Sequence, residues 1–169
     1  MKRVLLALAL TIGISATAVA QQKIGHIDVE ELVAEMPETQ TANAEVQKFQ
    51  EQLEGDSQAM QEEYMTKMQN AQSNMDTWTQ LRLQKEQEEL EAMGQRIMQF
   101  NQSAQQELQR KQMDLMLPII EKAQEAINTV AKSNSFTYIL DSSAGKAVVV
   151  FLENGEDIMP LVKAELGIQ

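Results

Sequence analysis

Apolar residues recur at steps of three and four along most of this chain: Ala42, Val46, Phe49, Leu53, Met60, Met68, Ala71 and Met75, then Leu83, Leu90, Met93, Ile97, Phe100, Ala104, Leu108 and Leu115. Between them lie mostly Gln, Glu, Lys and Ala, and no proline interrupts residues 38 to 117. Most of these are good helix formers, and a stripe this narrow predicts two long helices meeting along a coiled-coil-like seam. Thr77 reads as the N-cap of the second helix, with Gln80 completing a capping box, and Asn74 as the residue that closes the first. The chain is therefore expected to reverse near residues 74–80. Pro37 and Pro118 stand almost equally far from that tip and bracket arms on the order of 55 Å long.

The pattern changes outside the arms. In "KIGHIDVEELVAEMPE", Ile24 and Ile27 mark a strand, Asp28 and Glu31 a helix start, and Pro37 a boundary or a kink. Beyond Pro118 the helix is expected to continue with a denser apolar face (Ile119, Ile120, Ala123, Ala126, Ile127, Val130) and to stop near Ser133 and Asn134. "SFTYIL" and "AVVVFL", joined by "DSSAGK", read as two strands, and "IMPLVKAELGI" as a closing helix with Asp157 at its N-cap and Pro160 in its first turn. The fold class is thus α+β and mostly α: a helical hairpin arm over 38–117 on a small strand-and-helix body formed by 21–37 and 118–169. Such a body is small for an independent core, and strands that are apolar on both faces need covering on both. Self-association through Ile24, Ile27, Tyr138, Leu140, Val148 and Val150 is the economical solution.

The first twenty residues have their own logic. Lys2 and Arg3, an apolar run from Val4 to Ile14 and small residues at Ala18 and Ala20 read as a signal peptide cleaved after Ala20, too short in its apolar part to span a bilayer. The chain has no cysteine, which removes disulfides, thiolate metal sites and lipid acylation. Removing Lys2 and Arg3 lowers the formal charge from −11 to −13, with no basic stretch to attract nucleic acid. No glycine-rich phosphate loop or metal-spaced cluster is present, and His26 is the single histidine, so no cofactor is expected and an enzyme is disfavoured.

These segments, in this order and spacing, resemble the Skp/OmpH family of periplasmic chaperones for outer-membrane proteins. The carriers are "KIGHIDVEELVAEMPE", the Gln- and Glu-rich hairpin, "LMLPIIEKAQEAINTVAKSNSFTYILD" and "EDIMPLVKAELG". The resemblance implies a homotrimer whose strands join into a central barrel. Three arms would then enclose a cavity for unfolded outer-membrane proteins, with no ATP, no catalysis and no stable membrane insertion. It also implies a departure, since family members with basic arms attract acidic clients whereas these arms hold more Asp and Glu than Lys and Arg.

Eight of the eleven methionines lie in the arms. Thioethers adapt to irregular apolar partners, so methionine is a means of binding without sequence preference. Met60, Met68, Met75 and Met93 lie in phase with the seam and are expected to fill it. Met65, Met98 and Met113 fall off it and are the candidate client contacts. Trp78, placed at the first helical position after the tip, reads either as a staple over Met75 or Leu81 or as a tip contact with a client or with a neighbouring arm. Gly55 and Gly94, inside helices, are bending points or tolerated exposed positions. A structural coiled-coil spacer of the cell envelope is the alternative to a chaperone. It explains the long helices equally well and the off-seam methionines less well.

Overall fold

The computed structural model of the chain describes residues 22–146 and 149–168. The expected signal peptide, its cleavage after Ala20 and Val148 lie outside the described residues. In chain order the elements are strand β1 (Ile24–Ile27), helix α1 (Val29–Glu35), helix α2 (Pro37–Ser73), helix α3 (Gln80–Ser133), strands β2 (Tyr138–Asp141) and β3 (Glu156–Asp157), and helix α4 (Met159–Leu166).

Pro37 is a boundary and not a kink. It occupies the first turn of α2, where its missing amide has no helical partner to lose, directly after Met36 closes α1. Pro118, by contrast, sits inside α3, which runs unbroken through it for 54 residues. The helices pack antiparallel, as cross-links at successive levels record: Lys122 to Glu38, Lys111 to Glu45 at 3.2 Å, Ser57 to Asn101 at 2.8 Å and Lys67 to Glu89 at 2.8 Å.

Two details of the arm differ from the sequence expectation. The N-cap of α3 is Thr79, whose hydroxyl accepts from the Arg82 amide, and not Thr77, whose own amide and that of Trp78 both close a turn on the Asn74 carbonyl. Trp78 therefore precedes the helix. The seam of α2 also runs through other residues than expected: beyond Met60 it follows Tyr64, Lys67 and Ala71, leaving Met68 and Met75 exposed. Steps of four, three and four from Met60 through Tyr64 and Lys67 to Ala71 keep the stripe in helical phase, and Met68 lies one residue past the position that Lys67 fills.

The body is built on a three-stranded sheet of order β2-β1-β3, with both outer strands parallel to β1 and Ile24 opposite Tyr138. Here the expected second strand, "AVVVFL", is not found among its described residues. The third strand is Glu156–Asp157, and residues 149–152 form no strand. The reason lies in "DSSAGK", which does not turn the chain back along β2. It caps α1 instead: Asp141 and Ser143 side chains accept the Val29 and Glu30 amides at 3.5 and 3.2 Å, while Asp28 accepts that of Glu31 at 2.9 Å. Three of the four amides that a helix start leaves without partners are thereby satisfied.

One face of the sheet packs on the helices. Ile27, Leu32, Met36, Ile119, Ala123, Ile127, Val130, Ile158 and Val162 form a single buried core, with Phe136 and Ile139 packed against it. α4 begins after Ile158, yet it is Asp157 that accepts its first amide, from Met159 at 2.9 Å, and Gly167 closes it in the left-handed conformation at φ 71°.

Candidate functional site

Among the described residues two surfaces stand open. The first is the outer face of the sheet. Side chains alternate along a strand, so Gly25 and Ile27 turn into the core while Ile24 and His26 turn out, joined on β2 by Tyr138 and Leu140. Tyr138 is 56 % exposed and Leu140 37 %, and the neighbouring Val150 and Phe151 are 95 % and 78 % exposed. Ile27, expected at an association surface, is corrected: at 1 % exposure it belongs to the chain's own core. A parallel sheet is ordinarily covered on both faces, and among the described residues this one is covered on one.

The loop beside this face is electrostatically tight. Partial burial opposes the charged form of Asp141, but hydrogen bonds from Lys146, from the Ser143 hydroxyl and amide and from the Val29 amide outweigh it, holding the carboxyl at about 2. In return the carboxylate raises the pKa of Lys146, 2.8 Å away. A depressed folded-state pKa contributes stability above the unfolded value near 3.9 and loses it as pH falls through the folded value. Acid is therefore expected to loosen this loop and the start of α1 between about pH 4 and pH 2. Asp141→Asn should cost on the order of 2 kcal/mol at pH 7 and remove that part of the acid transition, as urea titrations at both pH values will read.

The second surface runs along the arms. Met65, Met98 and Met113 are 56 %, 68 % and 67 % exposed, whereas Met93 lies buried in the seam and Met60 half-buried. Leu117 and Ile120 continue from Met113 on α3 and are also exposed, which sequence reasoning missed. The signal was present in the three- and four-residue spacing, masked by the expectation that residues near the body would be covered. At the tip, Trp78 is half-buried and the Arg82 guanidinium lies 4.4 Å from the centre of its ring, while Met75 and Leu81 are exposed. Just below, Met68, Ala71, Met75, Leu83 and Leu90 line an open apolar cleft of about 520 Å³ between the helices.

Part of the seam is polar. Ser57 and Ala104 face a cleft of about 780 Å³ bordered by Gln50, Glu54, Gln58, Asn101 and Gln105. Lys67 occupies a seam position and bridges Glu89 and Glu86 at 2.8 and 3.2 Å. Hydrogen bonds to these two carboxylates raise its pKa, and Lys67 in turn lowers that of Glu89. A charge at a seam position fixes register at some cost in stability. Gly55 and Gly94 face open space, so a methyl group fits at either. Over residues 38–117 there are 14 Asp and Glu against seven Lys and Arg. Among the described residues no group of His, Cys, Asp and Glu has metal-binding geometry, and no helix is long and apolar enough to cross a membrane.

Comparison with known proteins follows this architecture. The profile of a family described as outer membrane protein (OmpH-like) matches residues 23–166. No curated protein matches the sequence. Among solved structures, that of a candidate outer membrane chaperone (OmpH-like) from Caulobacter crescentus CB15 aligns over 86 % of this chain and 83 % of that one, with a TM-score of 0.75 and 14 % identity. A likeness at that identity carries the fold.

Proposed function

The chain belongs to the OmpH-like outer membrane protein family, and from that premise we propose that it is an ATP-independent holding chaperone of the periplasm. It binds unfolded outer-membrane β-barrel proteins between its arms and keeps them from aggregating. In this reading the exported chain, freed of residues 1–20, assembles as a homotrimer through the open sheet face and the segment around Val150, and it carries out no catalysis. Chaperone function is supported above all by one observation: the arms expose flexible, uncharged methionines on helices whose surface is otherwise largely polar. A scaffold needs no such groups. Thioethers accommodate apolar side chains of many shapes, as a binder of unfolded chains must.

The acidic arms bear on which clients are held. Beyond about 8 Å at physiological ionic strength exposed charges are largely screened, so the excess of carboxylates slows the approach of acidic clients more than it weakens short-range apolar contact.

The test dilutes a urea-unfolded outer-membrane β-barrel protein into buffer with residues 21–169 and follows light scattering. Suppression near one client per assembled particle is expected. The triple variant Met65→Gln, Met98→Gln, Met113→Gln keeps good helix formers at exposed positions and should weaken client retention roughly tenfold, about 1.4 kcal/mol. No suppression by a folded, assembled protein would favour the envelope spacer instead.

A further inference from the structure

His26, the single histidine of the chain, sits on the central strand of the sheet, opposite Leu140 on one side and Asp157 on the other. Alternation along β1 places it on the open face with Ile24, and not on the packed face with Gly25 and Ile27. Its ring is half-buried by its own chain. Gly155 lies so close that a Cβ there would sit 2.7 Å from His26 Cδ2, and Leu152 borders the same glycine. The rest of the ring faces outward, in the middle of the apolar patch of Ile24, Tyr138 and Leu140.

Few charges face this ring. On β3 the partner residue Asp157 is exposed and engages the Met159 amide at 2.9 Å. On β2 the titratable groups are Tyr138, on the same face, and Asp141, which is held by Lys146 and Ser143. On β1's approach Lys23 pairs with Glu156 at 3.0 Å and lies over the Phe136 ring at 3.9 Å. Glu153, in the segment that borders the ring, is exposed. The helices pack on the opposite face, and among the described residues no carboxylate forms an ion pair with the imidazole.

We propose that His26 makes self-association pH-dependent: assembly through the open sheet face requires the neutral imidazole, and protonation drives the chains apart. This rests on the proposed assembly through that face. Covering the patch withdraws the ring from water, which disfavours the charged form. A closed cyclic assembly also turns the same face of every copy toward one axis, so imidazolium groups approach others of like charge. Histidine is the side chain whose ordinary titration falls between pH 5 and 8. Protonation thus favours the separated chains and assembly favours the neutral ring, so association strengthens as pH rises and weakens as pH falls. Each imidazole that must shed its proton changes the assembly constant up to tenfold per pH unit, so three copies give up to about a thousandfold.

Sedimentation equilibrium of residues 21–169 at pH 7.5 and 5.5 tests this, with helicity followed by circular dichroism at both. The acid loosening near Asp141 falls well below this window. The wild-type assembly constant is expected to drop at least a hundredfold at pH 5.5. His26→Leu, neutral at every pH, should assemble equally at both, and His26→Lys at neither. A wild-type assembly constant unchanged between the two pH values overturns the switch alone, as does a His26→Leu variant that keeps the full pH dependence. Wild-type and His26→Leu chains that stay single at both pH values overturn the assembly reading and the switch with it.

Discussion

Replacing Tyr138 and Leu140 together with glutamate is expected to leave each chain folded and to keep the chains apart. Both side chains point away from the core from an edge strand, and their β1 neighbours on that face are Ile24 and His26. In a single chain the new carboxylates stand in water, where substitutions away from special features stay within about 0.5 kcal/mol. In an assembly that covers the face, each chain would bury two unpaired carboxylates, a penalty of several kcal/mol per ion. The assembly constant should fall at least a thousandfold, roughly 4 kcal/mol, while circular dichroism and the urea midpoint of the separated chain hold steady. Protection of clients should be lost with the cavity. Assembly that survives both glutamates would place the interface elsewhere and sink the reading of the open face.

The largest effect on the stability of the body itself is expected at Gly25. Nothing about its backbone demands glycine; the neighbours do. An added Cβ would lie 2.8 Å from Ile139 Cδ1 and 3.0 Å from both Ile158 Cγ2 and Phe136 Cε1. These three side chains come from β2, from the residue before α4 and from the turn after α3, so no single rotamer change clears the space. Gly25→Val adds two methyl groups beyond the Cβ to a site already full. Overpacking of this kind costs on the order of 3 kcal/mol, a large part of what a small body has in reserve. The urea midpoint of the Tyr138→Glu, Leu140→Glu background separates this from any effect on assembly. An unchanged midpoint there would mean that the core around β1 is loosely packed.

How far the sequence reached is clearest at the tip. Thr77 and Thr79 are both competent N-caps two residues apart, and propensity cannot choose between them. The choice fell to a turn closed on the Asn74 carbonyl, which consumes the amides of Thr77 and Trp78 and delays the helix to Gln80. Trp78 thereby moved from helix to turn, into reach of Arg82. Met68 and Met75 show a related limit: each lies one residue past a half-buried polar position, Lys67 and Asn74, and apolar character alone favoured the methionine over the residue that the packing covers. At Val149–Leu152 the sequence read β propensity correctly and its outcome wrongly. A strand exists only where an edge accepts it, and the described chain pairs β1 instead with Glu156 and Asp157, residues of poor strand propensity.

What the sequence determined by itself was local and periodic. Proline-free runs of helix formers with a narrow apolar stripe gave two long helices, Pro37 gave a boundary, and Asp28 gave a helix start, because each depends only on residues within a turn or two along the chain. What the tertiary structure decided was every question of partners. It set which strand lies beside β1, which loop caps α1, why position 25 excludes a side chain, and which face of the sheet is left bare with His26 at its centre. These depend on contacts between residues more than a hundred positions apart, such as Ile24 with Tyr138 and Glu30 with Ser143, and no local pattern encodes them.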